Sequence, residues 1–397
     1  MWSLFMDNRM MRIPALLFLL LGLLTTGQVV AQTTPTPTLV QVPMPAAPSI
    51  AAPAHILMEF DTGQVLVEGG ADERWEPASL VKVMTAYVVF SEIHAGRLAL
   101  DDLVTVSERA WRMGGSRMFI EVGNQVVVED LLRGMIIQSG NDASVALAEH
   151  IAGSESLFAQ MMNAYAEQLG MHNSQFRNAT GWPDPEQYTT ARDMALLAQA
   201  MVRDHPQFYG YYSEREFTFN EIRQNNRNRL LWLDEGVDGL KTGHTSTAGY
   251  NLITSGQRDG MRLITVVLGT SGPQARVDQT RTLLNYGFRF FRQHRFHRGG
   301  ETLAEPVLWK GQTETVAVGI ADDLRLVVPQ RQIETIRSDL RIDSPLVAPL
   351  TAGTVVGELT LLADRESLVT VPLVVLADAP EGGVMRRLVD AVKLYFQ

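Results

Sequence analysis

The chain of 397 residues contains no cysteine. That excludes disulfide frameworks, thiolate nucleophiles and Cys-ligated metal sites. Lysine is nearly as scarce: of 34 basic residues only four, Lys82, Lys241, Lys310 and Lys393, are lysine. Positive charge is in the minority, and a formal net charge of -10 argues against a general nucleic-acid binder, whose phosphate contacts need clustered Lys and Arg. The 18 Pro and 32 Gly are too few and too dispersed for a collagen-like or wholly disordered chain. No internal repeat with a period of about 20 to 50 residues is present. What remains is 46% hydrophobic and 20% charged, a globular composition with length for roughly two or three domains.

At the N-terminus Arg9 and Arg12 precede an apolar run from Ile13 to Leu24, followed by Val29-Val30-Ala31. The run is short for a bilayer span of ~20 residues and predicts a cleaved export signal over 1–31. Residues 32–53 carry Pro35, Pro37, Pro43, Pro45, Pro48 and Pro53 among Thr and Ala, which predicts an extended spacer. Two apolar runs between His55 and Glu68 flank Asp61-Thr62-Gly63 and predict a hairpin. Helical periodicity dominates 78–203, in Val81 to Ile93, Val128 to Ile137 and Ala143 to Ile151, whereas 237–270 reads as strands broken at Gly249 and Asp259-Gly260. Helices enclosed by strands predict an α/β or α+β domain over 54–296.

Short β-rich runs after Gly299 (Thr315 to Val318, Leu324 to Val328, Thr354 to Leu362, Leu368 to Leu376) predict an all-β domain over 297–379. The last segment, 380–397, is amphipathic. Arg386, Arg387, Asp390, Lys393 and Gln397 share one helical stripe, opposite Met385, Leu388, Val389, Val392, Tyr395 and Phe396. Residues 384–397 at ~1.5 Å rise reach only ~21 Å, short of a hydrocarbon core of ~30 Å. The expectation is a helix lying in the interface of an anionic membrane, with packing on the β domain as the alternative.

The chemistry is carried by lysines. An arginine does not lose its proton in a protein, but a desolvated lysine can, so a lysine kept in an arginine-rich chain is a candidate base. Ser79-Leu80-Val81-Lys82 follows Pro77 at the start of a helical pattern, and the i, i+3 spacing puts hydroxyl and amine on one face. A neutral lysine one turn away can activate that serine as a nucleophile, and the helix N-terminus favours developing negative charge. Lys82 is expected to be largely neutral, because Lys241 and the helix N-terminus disfavour a second positive charge nearby. Ser139-Gly140-Asn141 taken alone reads as a helix cap, and Lys241-Thr242-Gly243 alone as an edge-strand lysine beside a glycine that allows close backbone approach. Their conjunction, Ser-x-x-Lys, Ser-x-Asn and Lys-Thr-Gly in that order, is the signature of penicillin-recognising serine enzymes.

On these motifs the chain resembles the low-molecular-mass penicillin-binding proteins that act as D-alanyl-D-alanine carboxypeptidases. The resemblance extends through Glu76-Pro77-Ala78-Ser79, Gln138-Ser139-Gly140-Asn141-Asp142, Tyr188-Thr189-Thr190-Ala191-Arg192-Asp193, Glu216-Phe217-Thr218-Phe219-Asn220, Gly239-Leu240-Lys241-Thr242-Gly243-His244-Thr245 and Gly287-Phe288-Arg289-Phe290-Phe291. It implies a serine β-lactamase/transpeptidase-like α/β catalytic domain, then a small all-β domain and an amphipathic C-terminal anchor. It further implies Ser79 as the nucleophile, Lys82 as the base and Ser139 as a proton relay to the leaving D-alanine. Asn141 would bind the substrate amide, while Lys241 holds the Ser139 region and Thr242 and Arg276 meet the terminal carboxylate. Gly243 lets the substrate backbone approach, and the backbone N–H groups of Ser79 and His244 form the oxyanion hole. The implied partners are the peptidoglycan stem pentapeptide ending in D-Ala-D-Ala and β-lactam antibiotics; neither metal nor cofactor is called for. The implied place is the periplasmic face of the cytoplasmic membrane after export. Two departures are Ser144, where some relatives have Cys, and a short stretch from Ala110 to Phe119. Rival readings are a serine β-lactamase, for which Glu216 and Asn220 have only superficial spacing, and a wall-binding module with a vestigial site.

Overall fold

The computed structural model describes residues 46–396. The export signal at 1–31 and most of the spacer at 32–53 lie outside the described residues. The first region, up to Phe290, is built on a five-stranded antiparallel sheet of β1 (Ala54–Glu59), β2 (Val65–Gly69), β3 (Val237–Thr245), β4 (Gly249–Arg258) and β5 (Met261–Thr270), in the order β2-β1-β5-β4-β3. The hairpin expected around Asp61-Thr62-Gly63 is present, and buried Glu59 accepts hydrogen bonds from the N–H groups of Asp61 and Thr62 at its turn. The strand breaks at Gly249 and Asp259-Gly260 also fall where the sequence places them.

Alternation along the strands serves two cores. On β5, Ile264, Val266 and Leu268 face a helical layer, whereas Leu263 and Val267 face α6 (Pro273–Phe290) on the other side. On β1, Ile56 and Met58 join the first core and Leu57 the second. A strand covered on both faces reads as a continuous apolar run, which is how β5 appears in sequence. The helical layer comprises α1 (Val81–His94), α2 (Val128–Ile137), α3 (Asn141–Ala152), α4 (Glu155–Gln168) and α5 (Ala191–Asp204). Helix α1 contacts each of the other four and is apolar nearly all round, which makes it the central helix of that layer. Its few buried polar residues, Lys82, Thr85 and Glu92, therefore need partners.

Strand β6 (Phe291–His297) leaves the first region and pairs with β7 (Leu324–Pro329). The division drawn at 296/297 falls inside β6; Phe291 and Val327 lie in the sheet–α6 core, so the junction is apolar. Beyond it a four-stranded sheet joins β8 (Arg337–Ile342), β9 (Val355–Ala363), β10 (Glu366–Val375) and the short pair Val318–Gly319 over a separate core. The run Thr315 to Val318 yields only that short strand, and β8, charged and half-exposed in Arg-Ser-Asp-Leu-Arg-Ile, carries too weak an apolar signal to be found by pattern.

The C-terminal helix α7 (Val384–Tyr395) does rest on the β domain, but by its polar side. Asp390 is buried and accepts from Lys310 N at 2.8 Å, Arg386 donates to Thr313 O at 2.9 Å, and Arg387 pairs with Glu381. Met385, Leu388, Val392 and Phe396 point outward at 59–82% exposure. Among the described residues no helix is long and apolar enough to cross a membrane.

Because α1 is enclosed on every side, Phe90→Ala, at a position with no exposure, should lower stability by ~3–5 kcal/mol in chemical denaturation, without room to relax into solvent.

Candidate active site

Ser79 sits in a single 3-10 turn, Ala78–Leu80, that feeds directly into α1. Ala78 adopts φ +48°, a left-handed conformation that a non-glycine residue holds only when its surroundings enforce it. They do so from two sides. Asn251 donates to the Glu76 carbonyl at 3.2 Å, and the Glu76 carboxylate accepts from Thr245 Oγ1 at 2.8 Å and from Thr247 Oγ1, tying the turn to the β3–β4 hairpin. Gly243 on β3 lies so near that a Cβ there would meet Pro77 O at 3.0 Å. Opposite, Gly181 at φ +80° would drive a Cβ to 1.8 Å from Ala78 O, so only glycine fits.

Lys82 is 1% exposed. Its Nζ lies 3.1 Å from Ser79 Oγ, 2.7 Å from Asn141 Oδ1 and 2.5 Å from Thr180 O. The last two are carbonyl oxygens and can only accept. When Lys82 is neutral they take its two N–H groups, which leaves the nitrogen lone pair directed at the Ser79 hydroxyl. Burial, followed by the Arg227 charge and against the pull of Asp142 and Glu155, pushes Lys82 down to about 7. The cation named in the sequence reading, Lys241, is thus not the principal cause; desolvation is.

Ser139 lines the same cavity as Ser79. It has φ +69°, and its Oγ is buried without a hydrogen-bond partner. Asn141, at the start of α3, spends Oδ1 on Lys82 and one Nδ2 hydrogen on Gly114 O at 2.8 Å, leaving one N–H for another acceptor. Buried Asp142 accepts from the N–H groups of Met118 and Phe119 at 3.0 and 2.9 Å, which moors the Ala110 to Phe119 stretch to the same helix end.

Lys241 is buried on β3, with a single bond to its neighbour's carbonyl, Thr242 O, at 3.3 Å and none to Ser139. Burial, then Lys82, Arg227 and Arg276, holds its ammonium well below the usual lysine range. Arg276, near the start of α6, has a buried Nε without a partner and reaches Gly243 O at 3.4 Å; burial takes it down to about 10. His244 stacks on Tyr250 with ring centroids 4.0 Å apart.

Two cavities meet at Ser79. One, of about 400 Å³, is lined by Ser139, Thr242 and His244 with Arg227 and Arg276 as its charged groups. The other, of about 290 Å³, is walled by Asn141, Thr180, Trp182 and Pro183. Neither lining includes a carboxylate. Ser79, Lys82, Ser139, Asn141, Lys241, Thr242, Gly243, His244 and Arg276 lie in this one region, although Lys82 and Lys241 stand behind the cavity walls. Glu216 does not join it: its carboxylate is paired with Arg223 across a small hairpin. Sequence reasoning missed Arg227, whose signal was its setting in Asn226-Arg227-Asn228, where both asparagines are buried and Asn228 donates to Gly239 O. It also missed the Thr180 carbonyl, which no side-chain motif can reveal. Among the described residues no cluster of three or more His, Asp or Glu is placed to hold a metal ion.

Comparison with known proteins agrees with this geometry. Residues 41–272 match the family model described as D-alanyl-D-alanine carboxypeptidase, and 291–381 that described as penicillin-binding protein 5, C-terminal domain. The chain is 43% identical to D-alanyl-D-alanine carboxypeptidase DacC of Escherichia coli over 88% of its own length and 90% of that protein's. It is 41% identical to DacA of the same organism over 89% and 90%. Penicillin-binding protein 5 of Haemophilus influenzae superposes with a TM-score of 0.80 at 39% identity, covering 85% of this chain and all of that one. The chain belongs to the D-alanyl-D-alanine carboxypeptidase family, with an α/β catalytic domain followed by a β domain.

If Lys82 is the base, its amine at about 7 sets the pH response. Neutral Lys82 accumulates as pH rises, so the rate of covalent labelling by penicillin should climb through a midpoint near 7 and then level. Lys82→Arg keeps the charge but cannot surrender the proton, and should lose at least ~100-fold of that rate if Lys82 is a general base.

Proposed function

We propose that the protein is a serine-type carboxypeptidase that removes the terminal D-alanine from peptidoglycan stem pentapeptides through an acyl-enzyme on Ser79, and that β-lactams acylate the same serine. The observation that carries this is the buried Lys82 amine, whose two carbonyl partners leave its lone pair for Ser79 Oγ at 3.1 Å. Lys82 takes the hydroxyl proton as Oγ attacks the carbonyl carbon between the two D-alanines. The oxyanion that forms is received by the N–H groups of Ser79 and His244. Ser139 Oγ gives its proton to the departing D-alanine nitrogen and is resupplied with the proton that Lys82 took from Ser79, so the C–N bond breaks, an ester remains on Ser79 and Lys82 is neutral again. Water then attacks that ester, giving up a proton to Lys82, and Ser79 recovers its own.

The leaving residue bears a free carboxylate. Arg276 and Arg227 supply its charge partners in the larger cavity, with Thr242 as a hydroxyl donor. Asn141 offers its remaining N–H to the acyl part, and Gly243 lets the substrate backbone lie along β3. The absence of a carboxylate from both linings leaves Lys82 alone to activate the deacylating water, unlike a β-lactamase with a dedicated glutamate.

The protein is further proposed to act after export, on the periplasmic face of the cytoplasmic membrane. Helix α7 supports this, since it turns its apolar stripe away from the protein while its polar side is tied to the β domain. With Arg386 and Arg387 engaged by protein partners, apolar burial rather than positive charge dominates the attraction to the bilayer.

Two measurements test these readings. Release of D-alanine from diacetyl-lysyl-D-alanyl-D-alanine should be robust and vanish in Ser79→Ala together with penicillin labelling, whereas nitrocefin turnover should be slow. Fast nitrocefin turnover without D-alanine release would identify a β-lactamase, and absence of both activities a vestigial site. Deleting residues 382–397 should move the protein from the membrane to the soluble fraction while sparing hydrolysis of the small peptide.

A further inference from the structure

Lys82 keeps its lone pair on Ser79 only while its two carbonyl partners stay in place, and one of them belongs to a segment without regular secondary structure. We propose that Asn178 is a positioning residue for the base: it clamps the Thr180–Gly181 peptide so that the Thr180 carbonyl remains against Lys82 Nζ. This rests on the reading of Lys82 as general base given above.

Asn178 Oδ1 accepts from Thr180 N at 3.2 Å, Gly181 N at 2.8 Å, Trp182 N at 3.1 Å and Thr180 Oγ1 at 3.1 Å, while Nδ2 donates to Trp182 O at 2.9 Å. One side chain thus stands in for the backbone partners that a helix or strand would supply. The decisive bond is the one from Gly181 N. That N–H and the Thr180 carbonyl are the two ends of a single planar peptide; Asn178 holds one end and Lys82 the other.

Gly181 makes the clamp necessary. Its lack of a Cβ is demanded by Ala78 O, yet the same lack lets the peptide before it rotate freely. A rotated peptide would turn an N–H toward Lys82 in place of the carbonyl. The neighbouring residues are secured by other side chains: Ala179 N by Glu155 at 3.0 Å, Ala179 O by Thr85 at 2.8 Å, and Asn178 N and Trp182 O by Gln187 at 3.3 and 3.1 Å. Those contacts fix the ends of the segment but not the 180–181 peptide. The charged groups acting on the amine are Arg227, Asp142 and Glu155, with Lys241 coupled to it from β3; none belongs to the 178–182 segment.

The test compares wild type, Asn178→Ala and Asn178→Asp by the second-order rate of labelling with a fluorescent penicillin from about pH 5 to about pH 10, with melting temperatures measured in parallel. Asn178→Ala should lose at least about tenfold on the high-pH plateau and move the rising limb upward, as water reaches the amine. Asn178→Asp retains an oxygen that accepts the same N–H groups, so its plateau should stay within about threefold of wild type while its added charge also moves the limb upward. An Asn178→Ala protein of lowered melting temperature but unaltered plateau and limb would overturn the clamp. If the alanine variant does not fold, a folded Asn178→Asp protein lacking the plateau overturns it equally. A wild-type profile flat across neutral pH brings down Lys82 as the base, and the clamp with it, a result separable from either variant's behaviour.

Discussion

Everything around Ser79 follows from taking one ammonium group out of water. A charged lysine in an apolar interior is penalised by several kcal/mol, and the cheapest response is to give up the proton. Helix α1 imposes that situation, because it is apolar nearly all round and enclosed by four helices and the sheet, so Lys82, at its second residue, is all but removed from solvent. What would elsewhere be a structural fault leaves an amine beside Ser79 that can lose its proton near neutral pH. The serine one turn earlier is accessible only because the chain there is bent through Ala78 into a conformation that β3 and the 178–182 segment hold from opposite sides.

Positive charge is concentrated where an acidic chain can least screen it. Arg227, Lys241 and Arg276 come from three separate stretches, and Arg227 and Arg276 are both lowered chiefly by burial. The guanidinium of Arg276 keeps its proton regardless at neutral pH, with its Nε left unpaired inside the protein. Such a cluster destabilises the empty site and would be relieved by any anion bound there. Ser139 Oγ, also buried without a partner, is a second polar group with unused hydrogen-bonding capacity.

The site was legible in sequence to the extent that its chemistry resides in side chains with a fixed order. Ser79, Lys82, Ser139 and Lys241 announce themselves because lysine is rare here and the three motifs fall on a helix start, a helix cap and a strand. Thr180 could not be found that way, since it contributes a backbone carbonyl, and Asn178 looks like any turn asparagine until its bonds are counted. The long strands and helices were readable because each has one period; β5 and α1 were the plainest, being buried on all sides. Strand β8 was not, because an edge strand protected by charges resembles a loop. The amphipathic stripe of α7 was read correctly as a pattern, but which stripe touches protein depends on Asp390 meeting the Lys310 backbone, a contact made across 80 residues.

The placement of the four lysines has a practical consequence. Lys82 and Lys241 are sealed inside, whereas Lys310 is half-buried and Lys393 exposed, both at the C-terminal end of the chain. Amine-directed labels, cross-linkers and activated surfaces will therefore find their side-chain targets on the β domain and α7 and bypass the amine beside Ser79. A protein coupled to a bead or sensor through its lysines would be held by its tail, with the mouth of the cleft left free for soluble ligands.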